Sequence, residues 1–126
     1  MSRFSVVALL VVVLTVASSP AFAKPEKRFD RASSTIRELK FANLREGYKL
    51  FRSSCKSCHH RGNDKGAKFL HTESKTMRAW NRVFYERYPQ CAVDGDWKNL
   101  SAEDLLKVND YLFANAVDTV DVNCYL

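Results

Sequence analysis

Methionine, glycine and proline are scarce in this chain, with 2, 4 and 3 residues respectively among 126. So little Gly and Pro, beside 46% apolar and 27% charged residues, excludes a low-complexity or plainly disordered chain. Acidic residues are also short, 14 against 20 basic. The resulting net charge of +6 excludes an acidic solvating tail and points to an anionic partner or surface. The apolar run Phe4–Ala17 is too short to span a bilayer, which takes ~20 residues as a helix.

That run is better explained as a label. Arg3, the apolar stretch, then Ala21-Phe22-Ala23 are the three parts of a secretory signal peptide, predicted to be cleaved after Ala23. An uncleaved anchor is the competing reading. Cleavage leaves no membrane span and one small domain with a modest core, the kind that often needs a covalent or metal staple. Export also means an oxidising compartment, here a bacterial periplasm, where spare cysteines usually pair.

The chemistry lies in Cys55-Lys56-Ser57-Cys58-His59. This is C-x-x-C-H, the attachment signature of c-type haem. Two thiols at that spacing add across the two vinyl groups of one porphyrin, and the following imidazole becomes the proximal iron ligand. The competing readings are a plain disulfide, half a zinc site and a thioredoxin-like motif. Zinc needs a second ligand pair, which Cys91 and Cys124 do not form by spacing. A thioredoxin-like motif needs a βαβ pattern, and none is visible.

Helical patterns flank the motif. Leu44, Tyr48 and Phe51 fall at i, i+4 and i+7 on one face. Ser101 is predicted to cap a helix, with Asp104 completing a capping box, Leu100 and Leu105 forming a staple, and Leu105, Val108 and Leu112 forming an apolar stripe. Met77, Trp80 and Phe84 mark a third helix. Residues 24–42 form an N-terminal extension, in which Ser33 or Ser34 is expected to cap a helix through Ile36 and Leu39.

Over roughly residues 43–114 the chain resembles the class I c-type cytochromes, which carry Gly-x-x-x-Phe (here Gly47 and Phe51) before C-x-x-C-H. They end on a helix with an apolar residue and an aromatic, here Leu105, Val108 and Tyr111. The resemblance implies an all-α fold over residues 43–126, a small helical domain wrapped around one covalently attached haem c. It also implies that Gly47 lets the first and last helices cross closely, and that the work is one-electron transfer rather than catalysis.

The family's usual methionine ligand is missing from the loop Pro89–Asn99. Met77 is the candidate sixth ligand and His71 the rival; His60 follows the proximal histidine directly and is expected on the surface. Asn81 after Trp80 is similar to the labile asparagine ligand of other small c-type haem proteins, at a different spacing. Cys91 and Cys124 are expected to form a structural disulfide, worth roughly 4 kcal/mol for a loop of ~34 residues in the chain-entropy model.

Charge divides the chain. Residues 24–87 carry 17 basic and 7 acidic residues, whereas residues 88–126 carry 2 and 7. Lys49, Arg52, Lys56, Arg61, Lys65, Lys68 and Lys75 cluster around the motif, so the expected partners are redox proteins with an acidic docking surface. No base-reading motif suggests nucleic acid. The expected molecule is a monomeric periplasmic electron carrier; the alternatives are a binder of small gaseous ligands with an open sixth site, or a subunit of a larger oxidoreductase.

Overall fold

The structure is a computed structural model that describes residues 24–119. The signal segment 1–23 and the residues from 120 onward, including Cys124, lie outside the described residues.

The chain begins with an antiparallel hairpin, β1 (Lys27–Asp30) and β2 (Thr35–Glu38), in which Phe29 pairs with Ile36 and Arg28 with Arg37. Four helices follow: α1 (Phe41–Leu50), α2 (Met77–Glu86), α3 (Gln90–Val93) and α4 (Ala102–Ala114). Short 3₁₀ turns at Thr72–Ser74 and Val117–Thr119 precede α2 and follow α4. The described residues thus join a set of helices to a small two-stranded sheet, which lies in the N-terminal extension ahead of residue 43.

The helix expected through Ile36 and Leu39 is replaced by β2. Ser33 does not cap; its N–H and hydroxyl both donate to the Asp30 carboxylate, at 3.0 and 2.7 Å. Those bonds close the turn between the strands, with Ser34 in the left-handed region at φ 55°. Burial alone would raise the Asp30 carboxyl, but the Ser33 bonds and the Arg28 guanidinium outweigh it and hold it below its ordinary value.

The hairpin turns its charges inward. Arg28 is 2% exposed and Asp110 of α4 is 0% exposed, and the Arg28 Nε donates to Asp110 Oδ1 at 2.6 Å. Arg37 donates to the other Asp110 oxygen at 2.8 Å and to Glu103 at 3.2 Å. Arg28 also reaches the Leu106 carbonyl at 3.3 Å. The second strand is thus locked to α4 as firmly as the first.

The helices form as their sequences direct. Ser101 Oγ accepts from the Asp104 N–H at 3.0 Å, and Asp104 Oδ2 accepts from the Ser101 N–H at 3.0 Å, so the capping box is complete. The Ser101 N–H, aided by the Ser101 hydroxyl, holds the Asp104 carboxyl below its ordinary value. At the start of α2, Thr76 accepts from the Ala79 N–H at 3.2 Å.

Helices α1 and α4 cross at Gly47. A Cβ there would lie 2.0 Å from the Lys107 carbonyl oxygen and 2.9 Å from the Tyr111 Cβ, so only glycine permits the approach. Tyr111 fills the crossing, edge-on to Tyr48 at 5.5 Å between centroids and tilted against Phe51 at 6.0 Å. The buried core is Phe51, Trp80, Val83, Val108, Leu112 and Ala116.

Candidate functional site

The motif sits where α1 changes its winding. From Phe51 to Cys55 the helix widens to one π turn, and the Lys56 N–H reaches the Phe51 carbonyl at 3.0 Å. Such turns recur at functional sites because they re-aim the residues that follow. The chain then tightens, with the N–H groups of Cys58 and His59 both donating to the Cys55 carbonyl, at 3.2 and 2.9 Å. Cys55, Cys58 and His59 are thereby held on a single turn.

His59 is oriented from behind. Its Nδ1 lies 2.7 Å from the Lys68 carbonyl oxygen, which can only accept, so Nδ1 carries the proton. In the neutral ring this leaves Nε2 as a bare lone pair, the form in which imidazole binds metal. The loop that presents Lys68 is itself pinned. The Leu70 N–H donates to the His59 carbonyl at 3.1 Å, and Lys56 Nζ donates to the Leu70 carbonyl at 2.6 Å. Asn63 ties its middle, donating to the Ala67 carbonyl at 2.6 Å and accepting from the Ala67 N–H at 3.0 Å. The role of Lys56, one of the two variable positions of C-x-x-C, had no sequence signal because it depends on where the loop returns.

The two thiols differ. Burial pushes the Cys55 thiol up to about 11, and Cys91 and Cys58 nearby add to the rise. Cys55 is therefore a neutral S–H near pH 7. Cys58 has the Lys65 ammonium 3.5 Å from its sulfur. Cys91, on α3, is brought to the Cys55 side of the molecule; its expected bridge to Cys124 falls outside the described residues.

Cys55 belongs to a half-buried apolar border packed against the core, with Leu50, Leu70, Met77, Phe84, Trp97 and Tyr111. Phe84 and Trp97 stack at 5.3 Å. Met77 opens α2, its N–H donating to Asp118 at 2.8 Å, and its side chain joins this border together with Cys55. His71 is exposed, with its ring 5.4 Å from Phe69. His60 is exposed, with Nδ1 3.2 Å from the Lys56 carbonyl.

Asn81 is engaged elsewhere. Its Oδ1 accepts from Asn109 at 3.1 Å and its Nδ2 donates to the Phe29 carbonyl at 3.4 Å. One bond ties Asn81 to α4 and the other to the hairpin, so both polar atoms of its side chain are already partnered. Asn109 Oδ1 is buried and has no partner there.

Basic groups line the rim of the motif loop. Lys56 and Arg61 lie over the Phe69 ring at 4.1 and 4.5 Å, and Lys65 and Lys68 are exposed beside them. No group of three metal-ligating residues (His, Cys, Asp or Glu) gathers among the described residues. Two clefts lie away from the motif, one of about 330 Å³ with Arg87, Trp97 and Leu105 in its wall, the other of about 250 Å³ between Ser33, Phe84 and Leu106.

No family model, curated protein or solved structure matches this chain.

Proposed function

We propose that the chain is a monohaem c-type electron carrier, exported and working by transient contact with acidic redox partners. The observation that carries this reading is His59: inside C-x-x-C-H, its Nδ1–H is held by the Lys68 carbonyl and its Nε2 is left to bind metal. The residues present fit the group. Two thiols and an imidazole on one turn make the donor set, and Cys55 shares the half-buried apolar border of the core with Leu70 and Met77. Bound there, haem would supply a one-electron iron couple whose potential depends on axial ligand, burial and hydrogen bonding.

The chain's own residues do the rest. Cys55 and Cys58 hold the group, His59 ligates it, and Lys68 and Leu70 fix the imidazole plane. Met77 is the candidate sixth ligand, supported by its half-buried place on the same apolar border as Cys55; His71 is exposed and so less favoured. The raised Cys55 thiol also speaks against a dithiol oxidoreductase, whose attacking cysteine is a thiolate of lowered pKa. Lys56, Arg61, Lys65 and Lys68 give an encounter surface for carboxylates, so transfer should slow as salt rises.

The test is the absorption spectrum of the mature protein, oxidised and reduced, with and without carbon monoxide. Low-spin bands in both states, no carbon monoxide shift, and a long-wavelength sulfur-to-iron band that Met77→Ala removes are expected. High-spin ferrous haem that takes up carbon monoxide at once would make the protein a ligand binder instead. Low-spin bands surviving Met77→Ala would transfer the sixth position to His71. The absence of covalent haem bands would overturn the reading.

A further inference from the structure

The hairpin is built inside out. Strand alternation puts Arg28, Asp30 and Arg37 against α4, and so it puts Phe29 and Ile36, a cross-strand pair, on the outer surface. They are 50% and 62% exposed. Exposed apolar residues are ordinary when scattered, but these form part of a continuous patch. The Phe29 carbonyl is bonded to Asn81 of α2, and Tyr85, one turn further along α2, is 46% exposed beneath the Arg31 guanidinium at 4.4 Å. Tyr88 follows, with Arg82 5.3 Å from its ring centroid.

The charge around the patch is mostly positive. Lys27, Arg31 and Arg78 are exposed and form no ion pair among the described residues. Of the neighbouring acids, Glu38 is matched by Lys40 at 3.6 Å and Glu86 by Arg82 at 2.9 Å, which leaves exposed Glu26 against three cations. Phe29 and Ile36 line neither of the clefts described above; they project outward. A projecting apolar pair with interfacial tyrosines and unmatched cations complements a laminar anionic surface, where rings sit at headgroup level and cations meet phosphate.

We propose that the outer face of the β1–β2 hairpin, with Tyr85 of α2 and Tyr88 just beyond that helix, is a docking site for a bilayer rich in anionic phospholipid. Phe29 and Ile36 enter the interface, while Lys27, Arg31 and Arg78 lie against the phosphates. The site is separate from the cysteine–histidine motif. On α4 the hairpin holds Leu106 and Asp110, whereas the core holds Val108 and Leu112; residues two apart lie on roughly opposite sides of a helix. Docking would therefore leave the motif turned away from the membrane and open to a partner.

The test is co-sedimentation of the mature full chain with vesicles of equal parts phosphatidylglycerol and phosphatidylcholine, against vesicles of phosphatidylcholine alone. Binding is expected only to the anionic vesicles and should weaken with salt. The double variant Phe29→Ser/Ile36→Ser should bind roughly tenfold more weakly or worse, since it withdraws the apolar pair from the interface. Its unfolding midpoint should stay unchanged, because both residues are exposed. Lys56→Gln/Lys65→Gln/Lys68→Gln, on the motif loop, should bind vesicles like the parent. Failure of the parent to bind anionic vesicles overturns the proposal. So does undiminished binding by the Phe29/Ile36 variant, or a larger loss from the motif-loop variant, which would assign the attraction to the loop's charges alone. None of these outcomes depends on haem, so a failure here is distinct from a failure of the electron-carrier reading.

Discussion

The two flanks of α4 are held by opposite physics. On one side Val108 and Leu112 are sealed among Phe51, Trp80 and Val83 by apolar contact. On the other, Asp110 is equally sealed, but by two guanidinium groups from a hairpin that contributes no apolar residue to the core. The apolar flank tolerates many packings of similar volume. The ionic flank tolerates few, because a buried charge without its partner costs several kcal/mol. The difference teaches where the fold is forgiving: around the core, and not around Asp110.

The sharpest way to break that contrast is Asp110→Ala. It takes from buried Arg28 its 2.6 Å partner, leaving only Asp30 at 3.3 Å, and should cost about 3 kcal/mol in chemical denaturation. Replacing the pair with apolar side chains, Arg28→Met/Asp110→Leu, should recover most of the loss, while Arg37 keeps Glu103. If the double variant were as unstable as the single one, the ionic flank would be more than a matched pair.

Gly47→Ala attacks the apolar flank instead. The new methyl meets backbone at Lys107, so the helices must separate, at a cost of about 1–3 kcal/mol in unfolding. A shift in tyrosine near-ultraviolet dichroism should accompany it, because Tyr111 lines the same crossing.

Ser101→Ala removes the cap from α4, the helix both flanks share, and should cost about 1 kcal/mol by the same assay. The smallest effect is one of pH. The Asp30 carboxyl is held below its ordinary value of 3.8 when folded, so its contribution is complete above that value. As pH falls through the folded value the contribution is lost, because the unfolded chain takes up its proton first. Asp30→Asn should therefore lower the neutral plateau of a stability–pH curve while leaving the most acidic end nearly unchanged, which flattens the acid limb.

Much of the helical framework could be read from residue order. The box at Ser101 and Asp104 is a local device, satisfied within one turn, so sequence alone reveals it. The stripe Met77–Trp80–Phe84 named α2 for the same reason. The hairpin could not be read this way. Its Arg28 and Arg37 look like solvated charge until Asp110, far along the chain, is placed beneath them, and Ser33 looks like a helix cap until Asp30 claims it. Within the site, the cysteines and His59 were legible from spacing. The hold on His59 was not, since a backbone carbonyl such as that of Lys68 carries no side-chain signature. Nor was the burial of Cys55, which depends on a core gathered from α1, α2 and α4.

The bond between Arg28 and Asp110 spans 82 residues of sequence, and α1 meets α4 across a similarly long interval. Neither the first strand nor the first helix can reach its final neighbours until α4 has been synthesised and delivered. Long-range closure of this kind slows the last step of folding. During that interval the turn bearing Cys55 is open and its thiol is not yet sealed away. The order of assembly is thus written into the topology: Cys55 is presented early, and the helix whose Val108 and Leu112 complete the core against which it packs comes last.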